Sequence, residues 1–286
     1  MPDDAKAVPS AGTPAPGDAP PDAALALHLL AQARAHRDGG GAGPVVAVLR
    51  SVPRLQRIAA LAHAMKPGVQ VLSLPPWDVL SYDRTQPSAA IVGQRMQALQ
   101  ALAHPDGRPC LLLTSAATAL QRVRPARELQ PDPVLRAGDP LDLPGLALDL
   151  AARGYHAEER VDEPGTVALR GHVVELFPTG APCPVRLEVE DGRITALHLF
   201  DPLTQRSTGD ADEARLTPAV EFPLDPAEVE DAAEALQAPA PTDTNTDADP
   251  DASQPAPALV VPPRLVPLTD LLPGAPVWLD PEVPDR

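Results

Sequence analysis

The sequence predicts an α/β protein in which a parallel α/β domain carries an inserted, small β-rich α+β module. Two observations carry this prediction. Between residues 22 and 122, short continuous apolar runs alternate with helical patterns, as in parallel strands buried on both faces. Between 154 and 206, strands of alternating apolar and charged residues are punctuated by Pro-Gly, Arg-Gly, Thr-Gly and Asp-Gly, as in an antiparallel sheet with one wet face.

Taken in order, residues 1–21 form a Pro/Ala/Asp-rich tail, and Asp22–Arg37 reads as a helix. Val45–Leu49, Val69–Leu72 and Cys110–Leu113 read as buried strands, with helices at about 52–65, 88–103 and 115–122 between them. Ser88 is placed to cap the second of these helices, with Ile91, Arg95, Leu99 and Leu102 at helical spacing. Leu141–Arg153 is a helix leading into the β-rich module. There, Val167, Leu169, Val173, Glu175 and Phe177 are read on one side of an alternation broken at Arg170-Gly171. Leu187 sits between Arg186 and Glu188, and Asp191-Gly192 is a tight hairpin dipeptide because both central positions favour positive φ. Residues 237–258 are a low-complexity acidic stretch that cannot bury enough apolar surface to fold. Pro276–Asp280 then reads as a short strand returning to the first sheet, which makes the first domain discontinuous.

The expected partition is a tail at 1–21, an α/β domain at 22–136, an interaction module at 137–215, an acidic Pro/Ala-rich linker at 216–258, and a truncated return segment of the α/β domain at 259–286. No apolar run reaches the ~20 residues of a membrane span, and no signal peptide is evident, so a cytoplasmic location is expected. Two cysteines, Cys110 and Cys183, give no disulfide framework and leave a pairing between them open. Seven histidines are scattered without metal-ligand spacing, and His172 and His198 read as structural residues on strands. No metal site and no cofactor are expected.

Charge is uneven. Residues 45–136 hold 11 basic and 5 acidic side chains, whereas 207–286 hold 3 basic and 17 acidic. Arg50, Arg54, Arg57, Arg122, Arg124 and Arg127 offer at most a weak DNA contact; without interleaved aromatics for base stacking they read as a solvated helix face. A phosphate-binding loop needs a Lys in a Gly-Lys-Ser/Thr context after a strand. The two lysines, Lys6 and Lys66, have no such context, and the glycines of 39–43 precede a strand instead of following one. No ATP site is therefore expected, and the chain does not read as an enzyme by itself.

The order RGHVVELFP (170–178), PVRLEVEDGRI (184–194) and LHLFDPLTQR (197–206) resembles the interaction domain shared by UvrB and the transcription-repair coupling factor family. LPPWDVLSYDRTQPSAAIVGQRMQAL at 74–99 and LLLTSAATALQRV at 111–123 fit the same resemblance. Tyr82-Asp83 is followed by a short link and a helix, with no aromatic hairpin, which favours the coupling factors over UvrB. The resemblance implies a degenerate P-loop-type first domain without a working nucleotide site. It also implies UvrA as protein partner, contacted through Arg170 and Arg186, with Glu175, Glu188 and Glu190 on the same surface. Both arginines are expected to point to solvent, although either could make an internal pair with Glu175 or Glu188. Where the family often carries aromatics, this chain has Val189-Glu190. The alternatives are a helicase subunit, which the missing Lys loop opposes, and a stand-alone adaptor with a different partner.

Overall fold

The computed structural model describes residues 20–65, 68–79, 85–238 and 264–281. Lys6 and the rest of the tail before residue 20, Lys66, Tyr82-Asp83 and most of the acidic stretch at 237–258 lie outside the described residues. Helices α1–α6 span Asp22–Asp38, Val52–Ala64, Ala89–Ala103, Ala116–Ala119, Leu143–Ala152 and Pro226–Gln237. Strands β1–β5 are Val45–Leu49, Gln70–Leu74, Cys110–Ser115, Arg122–Val123 and Val134–Leu135. Strands β6–β10 are His156–Ala157, Thr166–Arg170, Val173–Leu176, Val185–Glu190 and Arg193–Phe200. Strands β11–β14 are Ser207–Asp210, Ala214–Arg215, Val266–Pro267 and Val277–Leu279.

The chain is mixed α/β. One sheet has the order β14-β1-β3-β2, and β1 runs parallel to both neighbours. All five residues of β1 are buried, as a continuous Val-Val-Ala-Val-Leu run requires. The stripe Leu25, Ala26, Leu29, Leu30 and Ala33 of α1 joins Leu55, Ile58, Ala59 and Ala62 of α2 over Val45, Ala47, Leu49, Leu111 and Leu113. β14 lies where the sequence places a strand at 276–280, and it pairs with β1 through Val46–Val277 and Val48–Leu279.

The chain divides into two compact units. The first takes the described residues of Met1–Ser73, Gly107–Leu120 and Leu272–Arg286; the second takes those of Leu74–Asp106 and Gln121–Leu271. Segment 74–106, read from the sequence with the first domain, thus packs within the second unit. Arg95 of α3, fully buried, donates from Nε and Nη2 to Glu221 at 2.7 and 3.0 Å and from Nη1 to the Pro75 carbonyl at 2.6 Å. Trp77 stacks under its guanidinium at 5.1 Å and donates to the same carboxylate. Gly93 lets α3 approach the loop after β8, since a Cβ there would meet Thr179 at 2.5 Å. Ser88 precedes α3 but makes no side-chain cap; its own N–H is taken by Asp78 instead.

The second unit contains a six-stranded sheet, β11-β10-β9-β8-β7-β6, antiparallel except for β6 against β7. Helices α5 and α6 cover one face, burying Leu146, Ala147, Leu150, Ala233 and Leu236 against Val167, Val174, Leu176, Leu187 and Ile194. Asp142 and Asp225 cap these helices, accepting from the N–H groups of Gly145 and Ala227. Residues 216–237, read as the start of the linker, are folded: Leu216 is buried, and α6 packs by Ala233 and Leu236, small apolar positions that an Ala-rich composition disguises.

Candidate docking surface

The uncovered face of the six-stranded sheet is set by two hairpins. In the first, Arg170 pairs with Val173 across a two-residue turn, Gly171 at φ 61° and His172. Pairing therefore joins odd positions to even ones: Val167 to Leu176, Leu169 to Val174. The sequence reading of Val167, Leu169, Val173, Glu175 and Phe177 on one side is corrected accordingly. Val167 and Leu169 share the helix-covered face with Val174 and Leu176, and Glu175 and Phe177 lie opposite, with Ala168 and Arg170. A two-residue turn reverses the parity of the alternation, which a linear count across Arg170-Gly171 does not register. His172 sits in that turn, exposed, not in a strand. In the second hairpin Glu190 pairs with Arg193 around Asp191 and Gly192, at φ 48° and 70°, the primed turn expected of Asp-Gly.

The open face thus carries Arg170 from β7, Glu175 from β8, Arg186, Glu188 and Glu190 from β9, and His198 and Phe200 from β10. At one end Val161, Ala168, Phe177 and Phe200 form a small buried cluster. Arg186 lies over the Phe200 ring at 5.0 Å, the geometry of a cation–π contact. Its Nε donates to Glu175 Oε1 at 2.8 Å, its Nη2 lies 2.6 Å from the same oxygen, and Nη2 also donates to the Gln205 carbonyl at 3.5 Å. Glu175 stands directly across the ladder from Arg186. The second Glu175 oxygen lies 3.8 Å from Arg170 Nη1, and Arg170 Nη2 donates to the Glu159 carbonyl.

One carboxylate therefore holds two guanidinium groups. Its side chain is only 6% exposed, against 25% for Arg186 and 52% for Arg170. The expectation that both arginines point to solvent is met by Arg170 alone. Arg186 is three-quarters covered because an opposite charge faces it across the strands and an aromatic ring lies beneath it. Glu188 and Glu190 are exposed; Glu188 lies 3.7 Å from His198 Nε2, whose other ring nitrogen is 2.8 Å from Asp210.

The end of the run LHLFDPLTQR forms a loop that adjoins this face. In Asp201–Arg206, Asp201 Oδ1 accepts from the Leu203 N–H (3.1 Å) and from both the N–H and the hydroxyl of Thr204 (2.7 and 2.9 Å). Hydrogen bonds from Thr204 hold this carboxyl below its ordinary pKa. Gln205, at φ 60°, donates to the Pro202 and Val161 carbonyls, and Arg160 donates to the Pro202 and Leu203 carbonyls. Leu203 at its tip is 77% exposed.

In the first unit, Arg54 is 2% exposed. Its Nη1 donates to both Asp280 oxygens at 3.1 and 3.0 Å, its Nη2 donates to the Pro20 carbonyl, and its Nε lies 3.1 Å from Asp22. Asp280 also accepts the Arg50 N–H at 3.4 Å. Arg54 is thus removed from the solvated basic face expected from the sequence, because a carboxylate far along the chain reaches it. Cys110 and Cys183 are not joined in a disulfide. Among the described residues, no three His, Cys, Asp or Glu side chains gather to hold a metal ion, and no helix is long and apolar enough to cross a membrane.

Comparison with known proteins assigns this region. The UvrB interaction domain family matches residues 134–222, the segment containing the whole six-stranded sheet. The chain is 35% identical over 177 residues to the transcription-repair-coupling factor of Haemophilus influenzae, which takes in 62% of this chain and 15% of that protein. It is 33% identical over 192 residues to the Escherichia coli factor (66% and 16%) and 31% identical over 175 residues to that of Mycobacterium tuberculosis (59% and 14%). The chain accordingly spans about a sixth or less of the length of these relatives. The chain is thus homologous to a part of the transcription-repair-coupling factors, and its residues 134–222 match the UvrB interaction domain family.

Proposed function

We propose that this chain acts in the cytoplasm as the N-terminal portion of a transcription-repair coupling factor, docking the excision-repair protein UvrA so that repair is brought to stalled transcription. The observation that carries the reading is the open face of the six-stranded sheet, where Glu175 orders Arg186 and Arg170 side by side within the matched domain. Guanidinium groups fixed in this way lose little freedom on binding and suit a carboxylate-bearing partner. Glu175 is the positioning group, Arg170 and Arg186 the contacts, and Glu188 and Glu190 the acidic border.

The first unit is proposed to be a degenerate P-loop-type domain, with the interaction module inserted before β14, and to neither bind nor hydrolyse ATP. In support, β1 passes through Arg50 and Ser51 straight into α2, leaving no length for a phosphate loop. The Asp280 carboxylate already accepts from the Arg50 N–H and the Arg54 guanidinium at that helix start. A weak DNA contact would fall to exposed arginines such as Arg57.

Calorimetry against purified UvrA tests the docking role. Arg170→Ala should weaken binding by a fewfold to about tenfold, as for a partly exposed charge contact. The pair removal Arg186→Ala with Glu175→Ala, which leaves no buried carboxylate unpaired, should lower affinity further. Binding should also fall with added salt. Unchanged affinity in the folded triple variant would reject these residues as the site. Absence of wild-type binding at tens of micromolar would reject UvrA as partner and favour an adaptor for another protein.

A further inference from the structure

We propose that Leu203 is the apolar anchor of the docking surface, seated in an apolar depression rimmed by carboxylates on UvrA. The inference rests on the UvrA-docking reading and adds a residue that the charged face itself does not provide. Arg170, Glu188 and Glu190, the exposed members of that face on β7 to β9, are all charged. A rim of exposed charges alone gives steering and register more than affinity, which needs a desolvated centre.

An isolated exposed leucine carries no message, because much of any protein surface is apolar. Leu203 differs in two respects. Its loop is rigidly built, with the Asp201 carboxylate gathering three donors, Gln205 held to two carbonyls, and Arg160 tied to the Pro202 and Leu203 carbonyls. A side chain offered from such a loop loses little backbone freedom when it is buried by a partner. The loop is also continuous with the arginine site. The Gln205 carbonyl accepts from Arg186, and the Gln205 amide reaches Val161 of the cluster that includes Phe200.

Arg160, which also pairs with Asp162, and Arg186 bond the Leu203 and Gln205 carbonyls of this loop, and with half-exposed Arg170 nearby they are why the matching depression should be acid-rimmed. Among the described residues of the second unit, the other exposed large apolar side chain is Leu148, at 46%. It lies on α5, which covers the opposite face of the sheet.

The test uses calorimetry of the whole chain against purified UvrA at low and high salt, with circular dichroism to verify folding. Leu203→Ser should weaken binding about tenfold or more, the effect of losing a buried leucine side chain. That loss should persist at high salt, unlike the loss in Arg170→Ala. Leu203→Met should bind like wild type, and Leu148→Ser should be unaffected. Wild-type affinity for Leu203→Ser while Arg170→Ala is weakened would overturn the anchor and leave the docking reading standing. An equal loss in Leu148→Ser would also overturn it. A wild-type chain that does not bind UvrA would overturn both.

Discussion

In the first sheet every residue of β1 is buried, and Arg54 is closed in with Asp280 and Asp22. In the six-stranded sheet, β9 alternates buried valine and leucine with Arg186, Glu188 and Glu190, and Arg186 keeps a quarter of its side chain in solvent. Both places join an arginine to a nearly buried carboxylate. The difference lies in what surrounds the pair. Around Arg54 the chain itself closes in, with Nη2 bonded to the Pro20 carbonyl and Nε 3.1 Å from Asp22. Around Glu175 a second arginine, Arg170, is left half in water. The same bond chemistry thus serves architecture in one unit and presentation in the other, and burial decides which.

The largest effect should come from breaking the enclosed pair. Arg54→Ala strands Asp280 without its guanidinium, and loss of one partner of a buried ion pair costs about 3–5 kcal/mol. Chemical denaturation should show this as a lowered midpoint for the transition that includes the first sheet, with UvrA binding unchanged. Survival of full stability would mean that Asp280 is solvated and that the contrast between the two pairs is not real.

An intermediate effect is expected at the presenting pair. Glu175→Gln keeps the shape but removes the charge that faces both arginines, at a cost of about 1–3 kcal/mol. Its affinity for UvrA should drop more than its stability does, because Arg170 and Arg186 lose their common anchor. A stability loss with wild-type affinity would make Glu175 a purely structural residue.

The smallest effect concerns pH. Burial raises the Asp132 pKa above its ordinary value, against hydrogen bonds from Thr217 and Gln100 that work the other way. A carboxyl whose folded pKa is raised favours the folded state while protonated. Its contribution is complete below the unfolded value of about 3.9 and is lost as pH rises through the raised value. Asp132→Asn should therefore flatten the stability profile across that interval. An unaltered profile would show that Asp132 titrates normally.

Much of this arrangement was legible in the sequence, for identifiable reasons. The continuous apolar runs marked β1 and β3, and the Asp-Gly dipeptide marked its hairpin, because each depends on local chemistry. Arg170 and Arg186 were singled out through the ordered run around them, and the structure shows them sharing the Glu175 carboxylate. Which face each residue takes was less legible, since the parity of β7 and β8 depends on the two-residue turn between them. The fate of each charge was the least legible, because it depends on partners distant in sequence. Arg54 and Asp280 are 226 residues apart, and Arg95 and Glu221 are 126 apart. Arg95 did leave a trace: it stands at helical spacing with Ile91 and Leu99, an arginine on an apolar stripe, which calls for a buried acid. Leu203 lies in the quoted run 197–206 but was not singled out within it, because its prominence comes from the hydrogen bonding of its loop.

The separation between Arg54 and Asp280 bears on the order in which the molecule takes shape. A chain emerging from the ribosome presents β1 and β3 long before β14, and the entire six-stranded sheet is made in between. The sheet built from near neighbours, with its short hairpins, can close while the first one still lacks an edge and Arg54 still lacks Asp280. Until Asp280 arrives, the first unit carries an open strand edge on β1 and a guanidinium that lacks one of its two acids. This is the interval in which the nascent chain is most exposed to mispairing, and its length is fixed by the distance along the chain between these two residues.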